Sequence, residues 1–309
     1  MKKSIRVAAA LCAVVVGLSA LLAGCGNGDD EEPSGGPSGL GGHVGKNPFK
    51  GLTLVSEDKD SYRERTETYT FTSDTKGVYR YERLDFEDDE DSYVFQEDFE
   101  YAVDSDRNML KLRITSRTED GETQTLNDKL LAETYGKLDD ETKSLIYDSF
   151  IDYIHYDFTD DGTGVELDPD YYFGSMAESS AYFEFYDNAS RVEFEISNRM
   201  SVAFSRDGWF YYECYPKFTD DGSFTAVVFK ENEIYNADDD SYTYTYDKLS
   251  TRLAGNCQIT GTGTNCTGTV TFTQIPDEMK AGDDGKGLIV GEEYTLSHYS
   301  HSKSYTIQK

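Results

Sequence analysis

Apolar and polar residues alternate at every second position through most of this chain, which is the pattern of half-buried β-strands. Residues 99–103 (FEYAV) and 110–114 (LKLRI) alternate in this way on either side of a turn at 104–108. An antiparallel sheet with one wet face needs apolar residues on one side only. The two segments therefore predict a β-hairpin.

The same alternation predicts strands along the rest of the chain. They lie at 69–72, 78–86, 182–186, 192–196, 202–205, 209–215, 224–230, 242–246, 267–273 and 304–308. Turn signals recur roughly every 8 to 15 residues, as in all-β domains. We predict a mainly β fold, an antiparallel meander that closes into a barrel or a sandwich. The pattern leaves open whether it forms one β-domain or two.

Between residues 122 and 154 the apolar period lengthens to three and four, which is the spacing of one face of a helix. The period breaks near Gly136, so the segment predicts two helices. Asp139 or Asp140 would cap the second helix, with Glu141 in its first turn. We expect a short helical insertion whose apolar face belongs to the core.

The first 28 residues follow a different plan. A basic start is followed by an apolar run from Val7 to Leu22 and by the small-residue segment Leu22-Ala23-Gly24-Cys25. This is the layout of a secretory signal peptide. An uncleaved membrane anchor is the alternative, but the run is shorter than the roughly 20 residues that span a bilayer.

The Leu22-Ala23-Gly24-Cys25 ending resembles the lipobox of bacterial lipoproteins. The resemblance implies that residues 1–24 are removed and that Cys25 carries the lipid, such as palmitate, that anchors the mature chain. Gly26 stands where some lipoproteins retained at an inner membrane have Asp. The resemblance therefore implies an exported protein whose partner is a membrane, at the outer membrane or cell surface rather than the inner membrane.

Residues 25–48 are rich in Gly, Pro, Ser and acidic residues and predict a flexible tether, in which His43 would be solvated. The net charge of the chain is −30, and removing Lys2, Lys3 and Arg6 with the signal peptide makes it −33. Without a basic patch the chain is a poor partner for nucleic acid. Its acidic body is also repelled by an anionic membrane surface.

The chain has 24 Tyr and 17 Phe, and disordered chains are poor in such residues, so the body should fold. Short Tyr/Thr-rich strands and Phe-Thr-x-Asp turns over residues 49–309 resemble the lipocalin-like domains of some bacterial lipoproteins. The resemblance implies a ligand-holding or structural barrel and assigns no functional residue. The helical segment departs from a plain barrel.

Three cysteines remain in the body after Cys12 and Cys25 are assigned to the signal peptide and the lipid site. A two-residue turn at 261–262 would place Cys257 opposite Cys266, at a separation that a disulfide bridges. Export favours oxidation, so we predict a Cys257–Cys266 disulfide. Cys214 would be a buried apolar residue.

Other candidate sites are weaker. His298 and His301 would point to opposite sides of a strand, and no further ligand is near them in sequence, so we predict no metal site. The acidic clusters are typical of turns, with loop-bound calcium left open. They lie at 88–91, 160–162, 220–222, 238–240 and 283–285. No known catalytic motif is present, so the sequence predicts no catalytic residue and no cofactor.

Tyr242, Tyr244 and Tyr246 would share one face of a strand, either as core or as a binding stripe for sugar rings or a protein. We predict a non-enzymatic, lipid-anchored surface or periplasmic protein that binds a small molecule, a glycan or a protein. The alternative is a lipid-anchored hydrolase of polysaccharide or another envelope polymer. Two buried carboxylates beside exposed aromatics would favour the hydrolase, whereas acids confined to the outside of a closed barrel would favour binding.

Overall fold

The computed structural model describes residues 40–86, 92–187, 192–205, 209–236, 241–283 and 285–308. The predicted signal peptide, Cys25 and the first part of the tether lie outside these residues. Lipidation therefore stays a prediction.

The described residues form eighteen strands and two helices. The strands are β1 Thr53–Lys59, β2 Arg63–Thr70, β3 Lys76–Asp85, β4 Tyr93–Asp104, β5 Met109–Glu119, β6 Glu122–Thr125, β7 Ile151–Phe158, β8 Gly164–Asp168, β9 Tyr182–Asp187, β10 Val192–Ile196, β11 Met200–Ser205, β12 Trp209–Phe218, β13 Ser223–Asn236, β14 Ser241–Lys248, β15 Leu253–Thr260, β16 Thr267–Gln274, β17 Glu293–Tyr299 and β18 Lys303–Gln308. The helices are α1 Asp128–Tyr135 and α2 Asp140–Asp148, and short 3₁₀ turns lie at Met176–Glu178 and Asp277–Met279.

The first barrel closes with a strand from the far end of the chain. Strands β1 to β5 pair in sequence order, and β5 continues to β7 and β8. The C-terminal strand β18 then lies between β8 and β1 and completes a closed antiparallel ring of eight strands. Among the described strands, β6 pairs with β5 alone.

The second barrel lies wholly between β8 and β18 of the first. Strands β9 to β13 pair in order, β13 continues to β15, β16 and β17, and β17 returns to β9. The far half of β13 leaves this ring and pairs with β14. The predicted mainly β, antiparallel barrel fold with a short helical insertion is confirmed, and it takes the form of two closed eight-stranded barrels.

The two barrels have different interiors. The second is filled by apolar side chains, with Phe183, Phe194 and Phe272 fully buried at its centre. The first has such a core in one half only. Phe49, from the segment before β1, packs there against Phe71 at 4.9 Å between ring centroids and closes that end of the barrel.

The predicted helical pair is confirmed and covers the outside of the second barrel. It is shorter than the predicted segment 122–154, whose two ends belong to strands β6 and β7. Asp139 caps α2 by accepting a hydrogen bond from the Thr142 amide at 2.8 Å. Leu131 and Ile146 pack in one buried cluster with Phe229 of β13. The pair interrupts the first barrel in sequence but packs on the second, so it helps to hold the barrels together.

The predicted disulfide is absent from the structure, in which Cys214, Cys257 and Cys266 are free thiols. The prediction used the shortest possible turn, but Thr260 pairs with Thr267, and Cys257 lies opposite Val270. Cys266 therefore belongs to a wider loop over 261–266. The cause is a pair of backbone hydrogen bonds, 3.1 and 2.9 Å, between Gly263 of this loop and Tyr172.

The last residues of the predicted tether lie against the first barrel. The Nδ1 atom of His43 accepts a hydrogen bond from the Val103 amide at 3.0 Å, and Nε2 lies 2.6 Å from the Asp74 carbonyl. The side chain of Asn47 also donates to Tyr101 at 3.0 Å. The expectation that His43 is solvated is therefore wrong. His43 packs against the end of the first barrel that Phe49 closes.

Candidate functional site

The other half of the first barrel is polar, and strand register arranges its side chains in rows. Residues directly opposite each other on β2 to β5 share a face of the sheet. We define three tiers from these pairs. The lower tier is Tyr69, Tyr79, Glu97 and Arg117, the middle tier is Glu67, Tyr81, Phe95 and Glu119, and the upper tier is Arg65, Arg83 and Tyr93.

The charged side chains of the lower tier are less exposed than those of the two tiers above it. The side chains of Glu97 and Arg117 are 5% and 10% exposed, whereas the side chain of Arg65 is 31% exposed. Phe49 closes the opposite end of the barrel. A ligand of this interior would therefore enter past the upper tier.

Three aromatic rings in the middle and upper tiers are stacked. The rings of Tyr81 and Phe95 lie 5.3 Å apart at 16°, and those of Tyr81 and Tyr93 lie 5.6 Å apart at 27°. The Arg117 guanidinium lies 3.9 Å from the Phe95 ring centroid, within cation–π range. The stack offers a flat apolar wall beside charged groups.

The charged groups of the interior are mostly paired. Arg117 donates from Nη1 to Glu97 at 3.4 Å and from Nη2 to Glu119 at 3.0 Å. Across the barrel, Glu67 accepts hydrogen bonds from Lys303 at 2.7 Å and from the Tyr305 hydroxyl at 2.8 Å. These contacts pair two cations with three carboxylates.

Some arginine nitrogens in this interior do not follow this pairing. The Nε atoms of Arg65 and Arg117 are buried and have no hydrogen-bond partner among the described residues. Leaving a buried donor unpaired costs about 1–3 kcal/mol, more when the group is charged. Such groups are rare in native proteins and need an explanation. An acceptor supplied by a ligand would provide one.

Two carboxyls in this region, the buried Glu97 and the half-buried Asp152, hold protons more tightly than usual. Burial raises the pKa of Glu97 to about 7, although Arg117 opposes the rise. Burial also raises the pKa of Asp152 to about 6, against the effect of Arg199. Asp152 lies on β7 opposite Leu112, whose side chain is in the barrel core. Both groups therefore change charge near neutral pH.

The predicted tyrosine stripe lies elsewhere, on β14. Tyr246 is buried and Tyr244 partly buried in the cluster under the helical pair. Tyr242 is 43% exposed and packs against Tyr235, with ring centroids 5.1 Å apart. One end of the stripe is thus core, and only Tyr242 presents a free aromatic surface.

The two histidines hold the linker between the barrels. Nε2 of His298 lies 2.8 Å from the Asp170 carbonyl, and Nδ1 of His301 lies 2.8 Å from the Asp170 carboxylate. Within the described ranges, no three His, Cys, Asp or Glu side chains form a group that could hold a metal ion.

The acidic clusters that the structure describes act in turns. Asp161 accepts hydrogen bonds from the Thr159 hydroxyl and the Thr163 amide, and Asp221 accepts the matching pair from Thr219 and Ser223. These carboxylates are used within their own loops. Residues 88–91, 238–240 and Asp284 lie outside the described residues.

A concave region of 270 Å³ lies between the barrels. Tyr153 of the first barrel, Leu145 of α2 and Phe218 of the second barrel line it, together with Leu40. Because Leu40 precedes the first barrel in the chain, the N-terminal segment itself takes part in this cleft. Because a segment of the chain already lines this cleft, we regard the polar half of the first barrel, and not the cleft, as the candidate site.

None of Arg65, Glu97 and Arg117 is singled out by the sequence pattern. The available signal is the presence of charged residues at inward positions of alternating strands, as in the segment RERTETYT of β2. No helix in the described part of the chain is long and apolar enough to cross a bilayer. Comparisons with models of protein families, with curated proteins and with solved structures found no match to this chain.

Proposed function

We propose that this protein is an exported, lipid-anchored protein of the outer membrane or cell surface that binds a small ligand in the polar half of its first barrel. The observation that carries this proposal is the buried Nε of Arg117, a donor to which no described residue offers an acceptor, beside the stacked rings of Phe95 and Tyr81. The lipid on Cys25 attaches the protein to its membrane partner.

The two interiors support this division of roles. The second barrel is filled by its own side chains, and Cys214 is fully buried within it. The first barrel is filled at the end closed by Phe49 and becomes polar and more exposed towards Arg65. Ligand sites combine an apolar wall with a few convergent polar groups, as the tiers do.

A screen with matched variants tests the site. We expect mature protein from the membrane fraction, in nonionic detergent, to give saturable calorimetric binding with at least one member of a panel of planar carboxylates, phosphates, amides and short glycans. Phe95→Ala should weaken that binding at least tenfold because the wall is lost. Tyr242→Ala, on the predicted stripe, should leave it unchanged. The opposite ranking of the two variants would move the site to β14, and no binding by the whole panel would overturn the proposal.

A hydrolase is the second candidate, because the pKa of Glu97 is raised to about 7 and that of Asp152 to about 6. A glycosidase uses one carboxyl held protonated as a general acid. Binding is the better-supported function, since Glu97 is 4% exposed beneath the aromatic wall and contacts Arg117. Hydrolysis of an envelope polysaccharide that is lost in Glu97→Gln would favour the hydrolase.

Localisation is tested separately. We expect Cys25→Ser to abolish labelling by radioactive palmitate and to move the protein out of the membrane fraction, because the acidic body has no second membrane signal. The parent chain and a Cys214→Ser variant are the matched controls and should both be labelled. Membrane retention of unlabelled Cys25→Ser would instead indicate an uncleaved anchor.

A further inference from the structure

We propose that residues 40–48, which we call the strap, stay attached to the first barrel while His43 is neutral, and that protonation of His43 in mildly acidic surroundings releases them. The strap is the last part of the predicted tether that the structure describes. It lies at the end of the barrel that Phe49 closes, away from the upper tier, so its release is separate from ligand binding in the tiers. The hydrogen bonds of the two ring nitrogens of His43 carry the proposal.

A few backbone hydrogen bonds attach the strap to the hairpin of β4 and β5. The Val44 amide donates to the Val103 carbonyl at 2.8 Å, and the Ser105 amide donates to the Val44 carbonyl at 3.0 Å. The Lys46 amide donates to the Ser105 hydroxyl at 3.2 Å. Segments held by few contacts open locally at low cost in free energy. The loss of one further contact should therefore shift the strap measurably towards release.

The partners of His43 select one neutral form of its ring. The Val103 amide can only donate, so Nδ1, which lies 3.0 Å from it, accepts and carries no proton. The Asp74 carbonyl can only accept, so Nε2, which lies 2.6 Å from it, donates. A second proton, on Nδ1, would set two donors against each other and leave the Val103 amide without its acceptor. Protonation of His43 therefore opposes attachment of the strap.

The charged and titratable groups around His43 are Asp74 in the turn between β2 and β3, Lys50 after the strap, and Tyr101 and Asp104 on β4. Asp74 forms an ion pair with Lys50 at 2.8 Å, and Asp104 accepts a hydrogen bond from the Asp106 amide. Burial raises the pKa of Tyr101. Carboxylates and tyrosines ordinarily titrate near pH 4 and pH 10, whereas the charge of histidine ordinarily changes between pH 5 and 8. His43 is therefore the group here that would respond to mild acid.

Release of the strap would change the cleft between the barrels. Leu40, at the start of the strap, lines this cleft with Leu145 of α2 and Phe218 of β12. Its departure would open one wall of the cleft. If Cys25 carries the lipid, release would also add the nine residues of the strap to the connection between the membrane and the first barrel. Nine extended residues span up to about 30 Å.

Hydrogen exchange measured by mass spectrometry tests this switch on mature protein in nonionic detergent, with exchange times corrected for the effect of pH on the intrinsic rate. A solvated histidine has a pKa of about 6.5, so the released state should gain a factor of roughly 30 between pH 7.5 and pH 5.0. We expect protection of residues 43–46 and 103–105 to fall at least tenfold. Protection of β10 to β13 in the second barrel should not change.

Matched variants separate protonation from the simple loss of a contact. His43→Gln gains no proton in this range, so its protection should be the same at pH 7.5 and pH 5.0. Asn47→Ala removes hydrogen bonds to the Asp74 carbonyl at 3.1 Å and to the Tyr101 hydroxyl at 3.0 Å. It should lower protection of the strap at both pH values and keep the ratio between them. His301→Gln, in the linker between the barrels, should behave as the parent chain does.

Three results would overturn the switch. The first is a parent chain whose strap is equally protected at both pH values. The second is a strap without protection at pH 7.5, because it would then not be attached at all. The third is a loss of protection in acid that persists in His43→Gln, because another group would then be responsible. Ligand binding in the tiers is tested with Phe95→Ala, so the proposed function can fail while the switch stands, and the reverse.

Discussion

Glu97 illustrates how position in the barrel decides the chemistry of a single side chain. It lies in the lower tier, 4% exposed, with Arg117 as its cationic partner. Burial disfavours the carboxylate more than Arg117 favours it, and the pKa rises to about 7. The same residue on the outside of β4 would be an ordinary acid.

This shift predicts a pH dependence of stability. In the folded protein Glu97 keeps its proton up to a pH of about 7, whereas the unfolded chain loses it near its ordinary value of 4.5. The folded state thus binds more protons between these values, and the free energy of unfolding falls as pH rises through this window. The fall due to Glu97 should be roughly 3 kcal/mol at most.

Urea unfolding between pH 4.5 and 7.5 measures this effect. Glu97→Gln cannot ionise, so its unfolding free energy should rise relative to the parent chain as pH increases across the window. Glu57→Gln, an exposed acid at the edge of β1, should follow the parent curve. Parallel curves for Glu97→Gln and the parent chain would show that Glu97 titrates normally.

At the same scale, alternation alone leaves burial undecided. The sequence correctly places Tyr242, Tyr244 and Tyr246 on one strand, but their exposure ranges from buried to open. The difference arises because α1, more than 100 residues earlier in the chain, packs against Tyr246, with the ring centroids of Tyr135 and Tyr246 5.1 Å apart. Packing between distant segments decides which tyrosine is exposed, and the local sequence pattern carries no information about that packing.

At the scale of elements, the hairpin of β4 and β5 was predictable except for one residue. Val103 pairs with Leu110 and Tyr101 with Leu112, as the alternation predicts. Further along, Asp98 pairs with Ser116 but Phe99 pairs with Ile114, so Thr115 is an extra residue in a β-bulge.

The bulge explains why the candidate site escaped sequence analysis. Because alternate residues of a strand share a face, regular alternation from the inward-facing Ile114 would put Arg117 on the outside of the sheet. The inserted Thr115, whose hydroxyl donates to the Asp98 carbonyl at 3.0 Å, reverses this parity and turns Arg117 towards Glu97. A bulge is determined by cross-strand pairing, which the local alternation does not show.

Turn chemistry was predictable from sequence. The sequence predicts turns at the acidic clusters 160–162 and 220–222, and both form turns with the same hydrogen bonds to Asp161 and Asp221. One connects β7 to β8 and the other β12 to β13, which are different places in their barrels. Local chemistry repeats here without a repeat of the fold.

At the scale of the whole molecule, the two barrels share one strand plan. Strands β1 to β5, β7, β8 and β18 of the first occupy the same ring order as β9 to β13 and β15 to β17 of the second. The sequence does not show this, because β18 is separated from β8 by the entire second barrel. Barrel closure is a long-range pairing, and the number of β-domains could not be decided without it.

The insertion of one barrel into the other predicts unequal stability when β18 is removed. A chain that ends at Tyr299 keeps every strand of the second barrel, but the first barrel loses the strand between β8 and β1 and, with it, the contacts of Lys303 and Tyr305 to Glu67. Two sheet edges would then be exposed, and an opened barrel of this kind is unstable in water. We expect hydrogen exchange measured by mass spectrometry to show lost protection in β1 to β8 and retained protection in β9 to β17.

Tyr305→Phe, which removes one hydroxyl but keeps the strand, should preserve protection in both barrels. Equal loss in both barrels would show that they fold as one cooperative unit, because the helical pair couples them more strongly than the strand order indicates.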